Sequence, residues 1–347
     1  MKALLLNKPK NIEIKELEKP EIKADEVLVN IKINGLCTND IRDYVGNSVY
    51  TYPRIGGHEF SGEIVEVGSE VNPELFAVGD RVVKYIIPAC GECHYCKINR
   101  ENLCNYVYNS TTFQNENGIS GFLGMQEYLA VKSKDLYKYP KDTSFITMAF
   151  TEPLACSINS INRANLEFGQ DVLIMGGGVM GLLHVMLAKL KGVSVIVSEP
   201  NDERRQLAEK LGADLTIDPT EDKSIEKVKN YTEGRGADVV FNTTSNPAFI
   251  DQALEFTAKG GQTYLFSSIH PNEPVETDMG IIHAQEKVIT GTVSPTIDTF
   301  YQAVRLLSKD MINIEPLIGK VFHYTDVEEA YLYAAKPETF KTLISFE

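Results

Sequence analysis

The chain has no surplus of positive charge. Its 34 Lys and Arg residues are outnumbered by 48 Asp and Glu, giving a formal net charge of -14 and a pI near 5.0. Nucleic acid would meet a repulsive field without a basic stripe to offset it, so no nucleic-acid partner is expected. Long hydrophobic runs are also scarce. After Met1 and Lys2 only residues 3–6 are apolar before Asn7, too short for the core of a secretion signal, and the expectation is a cytoplasmic protein. One uncharged stretch, residues 172–188, approaches the length of a membrane span. It is broken near its middle by Gly176, Gly177 and Gly178, with β-branched residues before them and helix formers after them. That texture predicts strand, turn and helix, and no membrane partner. Internal repeats and low-complexity segments are absent too. With 43% hydrophobic and 24% charged residues the chain has the composition of a folded protein, and its 347 residues point to two domains.

What is present is cysteine in an uneven distribution. Of six cysteines, at 37, 90, 93, 96, 104 and 156, four crowd together as C-x2-C-x2-C-x7-C. In a reducing compartment such crowding indicates metal rather than disulfides. The thiolates of Cys90, Cys93, Cys96 and Cys104 can close a tetrahedral shell around zinc, and a closed shell leaves no place for substrate, so this ion is structural. An iron–sulfur site or four free thiols are the alternatives, and the fourth cysteine lies too far along the chain for the compact ferredoxin spacing. His94 is surplus to a complete shell and is expected on the surface.

The first part of the chain reads as β-rich. Val27, Val29, Ile31 and Ile33 alternate with other residues, further strands are expected at 2–6, 64–67 and 82–87, and residues 105–124 read as a long loop. From about residue 171 strands and helices alternate. Strands are predicted at 172–175, 193–198, 238–241, 262–266 and 287–290, and helices at 179–191, 202–211 and 248–258. Repeated βα units imply a parallel sheet with helices on both faces.

Within the first βα unit, Gly176-Gly177-Gly178-Val179-Met180-Gly181 fits G-x-G-x-x-G. The first glycine permits the turn, the second lets a pyrophosphate approach the backbone, and the third packs helix on strand. Glu199 ends the next strand about 20 residues further on, where an acid accepts hydrogen bonds from the ribose hydroxyls of NAD and repels a 2′-phosphate. Arg204 and Arg205 close by are a counter-signal, and a turn that merely packs a helix on a sheet is the plain alternative.

Gly57-His58-Glu59-x2-Gly62-x5-Gly68-x2-Val71 resembles the zinc signature of the medium-chain alcohol dehydrogenases. Gly35-Leu36-Cys37, Gly79-Asp80-Arg81-Val82, the cysteine lobe, Glu152-Pro153-Leu154 and the glycine turn follow in that family's order, so the resemblance covers nearly the whole chain. It is strongest to the sorbitol and other polyol dehydrogenases, where a glutamate stands at 152 in place of a cysteine ligand.

The resemblance implies an α/β fold: a β-rich GroES-like catalytic domain over 1–152, a doubly wound parallel-sheet Rossmann domain over 153–293, and a segment 294–347 that returns to the first. It also implies a cleft between the domains. Cys37 and His58 are then ligands of a catalytic zinc, Glu59 is the third, and Glu152 coordinates directly or holds the zinc-bound water. Met180, Glu199 and Arg204 surround the adenosine and pyrophosphate parts of the cofactor, while Phe266-Ser267-Ser268 and Thr292-Val293-Ser294 line its nicotinamide end or simply pack strand ends. The expected activity is hydride transfer from a secondary alcohol, a polyol or sugar alcohol, to NAD, in a homodimer or homotetramer.

The sequence departs from the family at the proton relay. Where many relatives carry a hydroxyl and a histidine, this chain has Asn39 and Arg42, which transfer no proton. Zinc-bound water with Glu59 or Glu152 is the favoured substitute. Arg42 or Arg54 could instead receive a substrate phosphate or carboxylate. A dehydrogenase of a sugar-alcohol phosphate or of L-threonine therefore stands as the runner-up, and a catalytically idle NAD sensor as the reading from another class.

Overall fold

The computed structural model describes residues 1–47, 50–107, 118–269 and 274–347; half of the loop expected at 105–124 lies outside them. The chain divides into two compact units, one formed by Met1–Ala155 with Pro295–Glu347 and the other by Cys156–Ser294. The first begins with strands β1 (Lys2–Lys8), β2 (Asn11–Glu16), β3 (Glu26–Gly35), β4 (Glu59–Val67), β5 (Arg81–Lys84), β6 (Tyr128–Lys132) and β7 (Leu136–Tyr139). The second holds β8 (Asp171–Met175), β9 (Ser194–Ser198), β10 (Leu215–Ile217), β11 (Ala237–Asn242), β12 (Thr257–Leu265) and β13 (Val288–Gly291). The chain then adds β14 (Ile318–His323) and β15 (Lys341–Ser345) to the first unit.

In the first unit β3 is the hub of a sheet ordered β14-β15-β3-β4-β5-β7, with β6 also paired to β3, while β1 and β2 form a hairpin of their own. Burial explains its length: Val27, Val29 and Ile31 pack with Ile64, Val82, Leu129 and Val131 in one core cluster. A second cluster joins Leu4, Leu5, Leu36, Ile55 and Met125 to Tyr331 and Ile344 from the far end of the sequence. Each such side chain contributes roughly 1.5–3 kcal/mol by leaving water, so the terminal segment is fixed by apolar packing as well as by sheet pairing. The strand expected over 82–87 is shorter and stops at Lys84; the Tyr85 amide still bonds in register to the carbonyl of Asp135 at 2.8 Å, but Asp135 belongs to the single turn Ser133–Asp135 that precedes β7.

The second unit is a parallel sheet ordered β10-β9-β8-β11-β12-β13, so the chain winds outward on one side of β8 and then crosses to the other. β8 and β9 are apolar and buried on both faces, as strands covered by helices on either side must be. The direction reverses between β8 and β11, and in a sheet of this kind ligands bind at the carboxyl ends beside that reversal. The helix expected over 248–258 is shorter: a single turn at Pro247–Phe249 leads into Ile250–Phe256, and β12 begins directly at Thr257. Among the described residues no helix is long and apolar enough to cross a membrane; residues 172–188 divide into β8, the glycine turn and the helix Val179–Leu190.

Candidate metal centres and nucleotide turn

The antiparallel register pairs Gly35 at the end of β3 with Glu59 at the start of β4. Cys37 follows the one and His58 precedes the other, so two distant sequence segments meet at one end of the sheet. Cys37 is also the N-cap of the helix Thr38–Val45. From that helix Asp40, 2% exposed, accepts the Cys37 amide at 3.0 Å through one oxygen and the Gly57 amide at 3.1 Å through the other. One carboxylate thus fixes the backbone on both sides of the pair. Gly35 is required here, since a Cβ would stand 2.3 Å from a carboxylate oxygen of Glu59.

Ligand atoms of Cys37, His58 and Glu59 all lie within 4.8 Å of one another. His58 is buried and its Nδ1 has no hydrogen-bond partner among the described residues. Burial opposes charge on this imidazole, yet the Cys37 sulfur, a hydrogen bond to it, and the carboxylates of Glu152 and Asp40 together hold its pKa well above the usual histidine range. A half-buried thiol, a buried imidazole and a surplus of negative groups fit a divalent cation, and the sulfur, nitrogen and oxygen donor set suits zinc. Glu152, on the helix Thr151–Ala164, is 9% exposed and acts electrostatically on His58, but it falls outside the 4.8 Å grouping.

The four cysteines of the lobe also converge, with ligand atoms within 4.8 Å of one another. Sulfur separations are 3.5 Å for Cys93 and Cys96, and 3.9 Å for Cys90 with Cys96 and for Cys93 with Cys104. A tetrahedron with bonds of about 2.3 Å has edges of about 3.8 Å, so the cage has the dimensions of a zinc site. Amides of Glu92 and Cys93 point at the Cys90 sulfur at 3.5 and 3.3 Å, favouring thiolate. The amides of Cys96 and Asn105 hold the Cys93 thiol down to about 6, while burial pushes Cys96 up to about 12. His94 is exposed on the short helix His94–Lys97.

In the second unit each glycine of the turn has a separate duty. Gly176 has φ +100, a left-handed conformation; a Cβ on Gly181 would stand 1.8 Å from the Gly176 carbonyl; and Gly178, the N-cap of the helix Val179–Leu190, faces open space. Glu199 is 5% exposed and accepts the Gly177 amide at 2.6 Å and the Asn201 amide at 2.9 Å. Met180 lies in the first turn of the helix, and Arg204 stands on the helix Asp202–Lys210 beside Gly177. Arg205 is committed elsewhere: it donates to the carbonyls of Glu199 and Pro200 and pairs with Asp202 and Asp218. Ser267 donates to the Thr243 carbonyl at 2.7 Å, and the Thr292 amide to the Leu265 carbonyl at 3.1 Å. The expected cofactor residues therefore lie along the carboxyl ends of the parallel strands.

Residues 23–141 match the family described as alcohol dehydrogenase GroES-like domain, and residues 179–309 the family described as zinc-binding dehydrogenase. The chain is 32% identical to D-arabitol-phosphate dehydrogenase of Enterococcus avium over 95% of its own length and 92% of the relative's. It is 30% identical to sorbitol dehydrogenase of Bacillus subtilis over 99% and 97%. A Sinorhizobium meliloti protein solved with NADP bound has a TM-score of 0.90 to it, with 29% identity over 99% and 98% of the two chains. The chain is a zinc-dependent medium-chain alcohol dehydrogenase. It is an oxidoreductase that works with zinc and a nicotinamide cofactor.

Two features of this dehydrogenase escape a reading of its sequence. Lys341 on β15 places its ammonium 2.5 Å from a Glu59 oxygen, in an ion pair whose side chains are 7% and 2% exposed. Burial works against the Lys341 charge, but Glu59, Cys37 and Glu152 outweigh it and raise its pKa. The family's histidine signature gives no hint of this cation, which comes from almost the end of the chain. Arg54, a candidate receptor for a substrate anion, is buried at 2% exposure, ion-paired to Asp43 at 2.9 Å and stacked on the Tyr50 ring at 4.6 Å. It is built into the fold and is not offered to substrate. Asp43 is also held from its backbone, whose carbonyl accepts the Tyr52 hydroxyl at 2.6 Å.

Proposed function

We propose that the protein oxidises a secondary hydroxyl of a polyol or sugar alcohol to a ketone, with NAD as hydride acceptor. The observation that carries this reading is the convergence of Cys37, His58 and Glu59 on one point while Glu152 stands nearby as a further carboxylate. Cys37 and His58 hold the catalytic ion, with Glu59 as the third donor. Zinc supplies Lewis acidity at the alcohol oxygen and the nicotinamide supplies a hydride acceptor. Lys341 neutralises part of the Glu59 charge, which leaves Glu152 as the carboxylate that accepts the alcohol proton, directly or through a water. Asn39 and Arg42 orient substrate hydroxyls, since neither can move a proton at neutral pH. Preference for NAD rests on Glu199, whose carboxylate opposes a 2′-phosphate, and on Arg205 being engaged with carbonyls and acids of its own neighbourhood.

The test is Glu152→Gln. Steady-state oxidation of a polyol panel is expected to fall by about 10²–10⁴-fold while NADH binding, followed by fluorescence, stays within twofold. Turnover close to the parent enzyme would reject the assigned base. A sugar-alcohol phosphate is the second reading, favoured by Arg42 at the relay position and by the arabitol-phosphate relative. Phosphorylated sugar alcohols and L-threonine in the same panel decide between these substrates.

A further inference from the structure

At the amino ends of β11, β12 and β13, the opposite edge of the sheet from the glycine turn, the second unit has a cavity of about 560 Å³. That lies within the span of small-molecule sites, about 300–1,000 Å³. Lys229, Lys259 and Lys287 line it, and among the described residues none of the three forms an ion pair, although acids outnumber bases by 48 to 34 in the chain.

Of the other charged residues around the cavity, Arg235 is ion-paired, while Asp251 and Asp278 are held in place by neutral donors and keep their charge. Arg235 pairs with Asp171 and Asp238 at 3.0 and 3.2 Å. Asp278 accepts the amides of Gly280 and Ile281 at the start of the helix Met279–Ala284, and Asp251 accepts the Thr277 hydroxyl at 2.9 Å. Asp251, Glu255 and Asp278 therefore share the lining with three ammonium groups, and none of the three acids forms an ion pair with those lysines among the described residues. Lys287 is the anchor: it is 8% exposed and donates to the Leu254 carbonyl at 2.5 Å, with no acceptor for its other N–H groups among the described residues. Burial and then the neighbouring Lys229 charge push its pKa down, with Glu255 working the other way. A buried cation beside another cation is a place where an incoming anion gains from both.

We propose that this cavity binds a small phosphomonoester, its head group on Lys229, Lys259 and Lys287 and its apolar body against Ile225, Leu254 and Ile281. Lysine ammonium groups serve as point-charge receptors for phosphate, and the apolar wall selects an organic ester over the free ion. The site is separate from the nucleotide turn, so its occupancy does not depend on the proposed alcohol chemistry.

The experiment is calorimetric titration of phenyl phosphate into zinc-loaded protein saturated with NADH, which keeps the nucleotide turn filled. One-to-one binding is expected, at least about tenfold tighter than that of inorganic phosphate. Lys229→Glu, at an exposed position that leaves folding intact, and Lys287→Met are each expected to weaken it by at least about tenfold, the scale of one charge-assisted contact. Lys210→Glu, on an exposed lysine outside the cavity, is expected to change nothing. Absence of saturable binding, equal affinity for phenyl phosphate and inorganic phosphate, or binding that survives Lys229→Glu would overturn the proposal.

Discussion

His184 provides a test of how burial sets the acid stability of the nucleotide-binding unit. The residue is fully buried in the helix Val179–Leu190, packed against Phe241 and edge-on to Phe266 with centroids at 5.1 and 4.7 Å. Its Nδ1 meets the Met180 carbonyl at 2.7 Å and its Nε2 has no hydrogen-bond partner among the described residues. Burial lowers the pKa to about 4 from an ordinary 6.5, against a smaller opposing effect of the Met180 carbonyl. The folded state therefore keeps the ring neutral, and the contribution to stability is complete above pH 6.5 and lost as pH falls from there toward 4. At about 1.4 kcal/mol per pH unit, about 2 kcal/mol is lost by pH 5 and about 3 kcal/mol by pH 4. The assay compares the parent with His184→Leu in urea unfolding at pH 7.5 and pH 5.0, monitoring the second unit. Carboxylates and metal ligands are common to both proteins, so the difference between the two stabilities isolates the imidazole. The leucine variant is expected to gain about 2 kcal/mol relative to the parent on going to pH 5.0. Stability curves that stay parallel within about 0.5 kcal/mol would refute the argument.

Three further outcomes follow from packing and charge. Lys341→Met leaves the buried Glu59 carboxylate without its cation, and the zinc-loaded protein is expected to lose about 3–5 kcal/mol in urea unfolding; a loss below about 1 kcal/mol would mean that the metal alone compensates Glu59. Gly181→Ala puts a Cβ 1.8 Å from the Gly176 carbonyl, so the helix must move off the strand; NADH affinity is expected to drop by more than tenfold, about 1.4 kcal/mol, in a fluorescence titration. Cys93→Ser opens the cage of the lobe, and metal analysis by mass spectrometry is expected to find one zinc fewer per chain together with a lower melting temperature.

The features legible in the sequence are those whose cause is local. The parallel sheet announces itself because β8 and β9 are buried on both faces and so appear as short apolar runs. The cysteine cage is legible because its four ligands lie within one short loop, and the glycine turn because each glycine answers a steric demand of its own neighbourhood. The helix Thr38–Val45 carries no such signal. Its eight residues are too few to form alone, and its order comes from Asp40 at one end and the left-handed Gly46 at the other. β10 and the helix Ser224–Tyr231 are missed for a similar reason, since three strand residues make no run and neighbours in the sheet supply the pairing.

Lys341 lies at the far limit of legibility. In Lys341-Thr342-Leu343-Ile344 it reads as the polar first residue of a strand, and only the pairing of β15 with β3 brings it beside the Glu59 that β4 supplies. The choice of carboxylate is therefore a tertiary property. The sequence resemblance makes Glu59 the third ligand and has Glu152 coordinate directly or hold the zinc-bound water; the fold adds a buried ammonium 2.5 Å from the first, while the second acts electrostatically on both His58 and Lys341. The buried Lys341 ammonium holds the Glu59 carboxylate in place and compensates part of its charge. In the proposed reading the same pair of acids divides into one that holds position and one that accepts the proton, and the division is made by a residue contributed from the last strand.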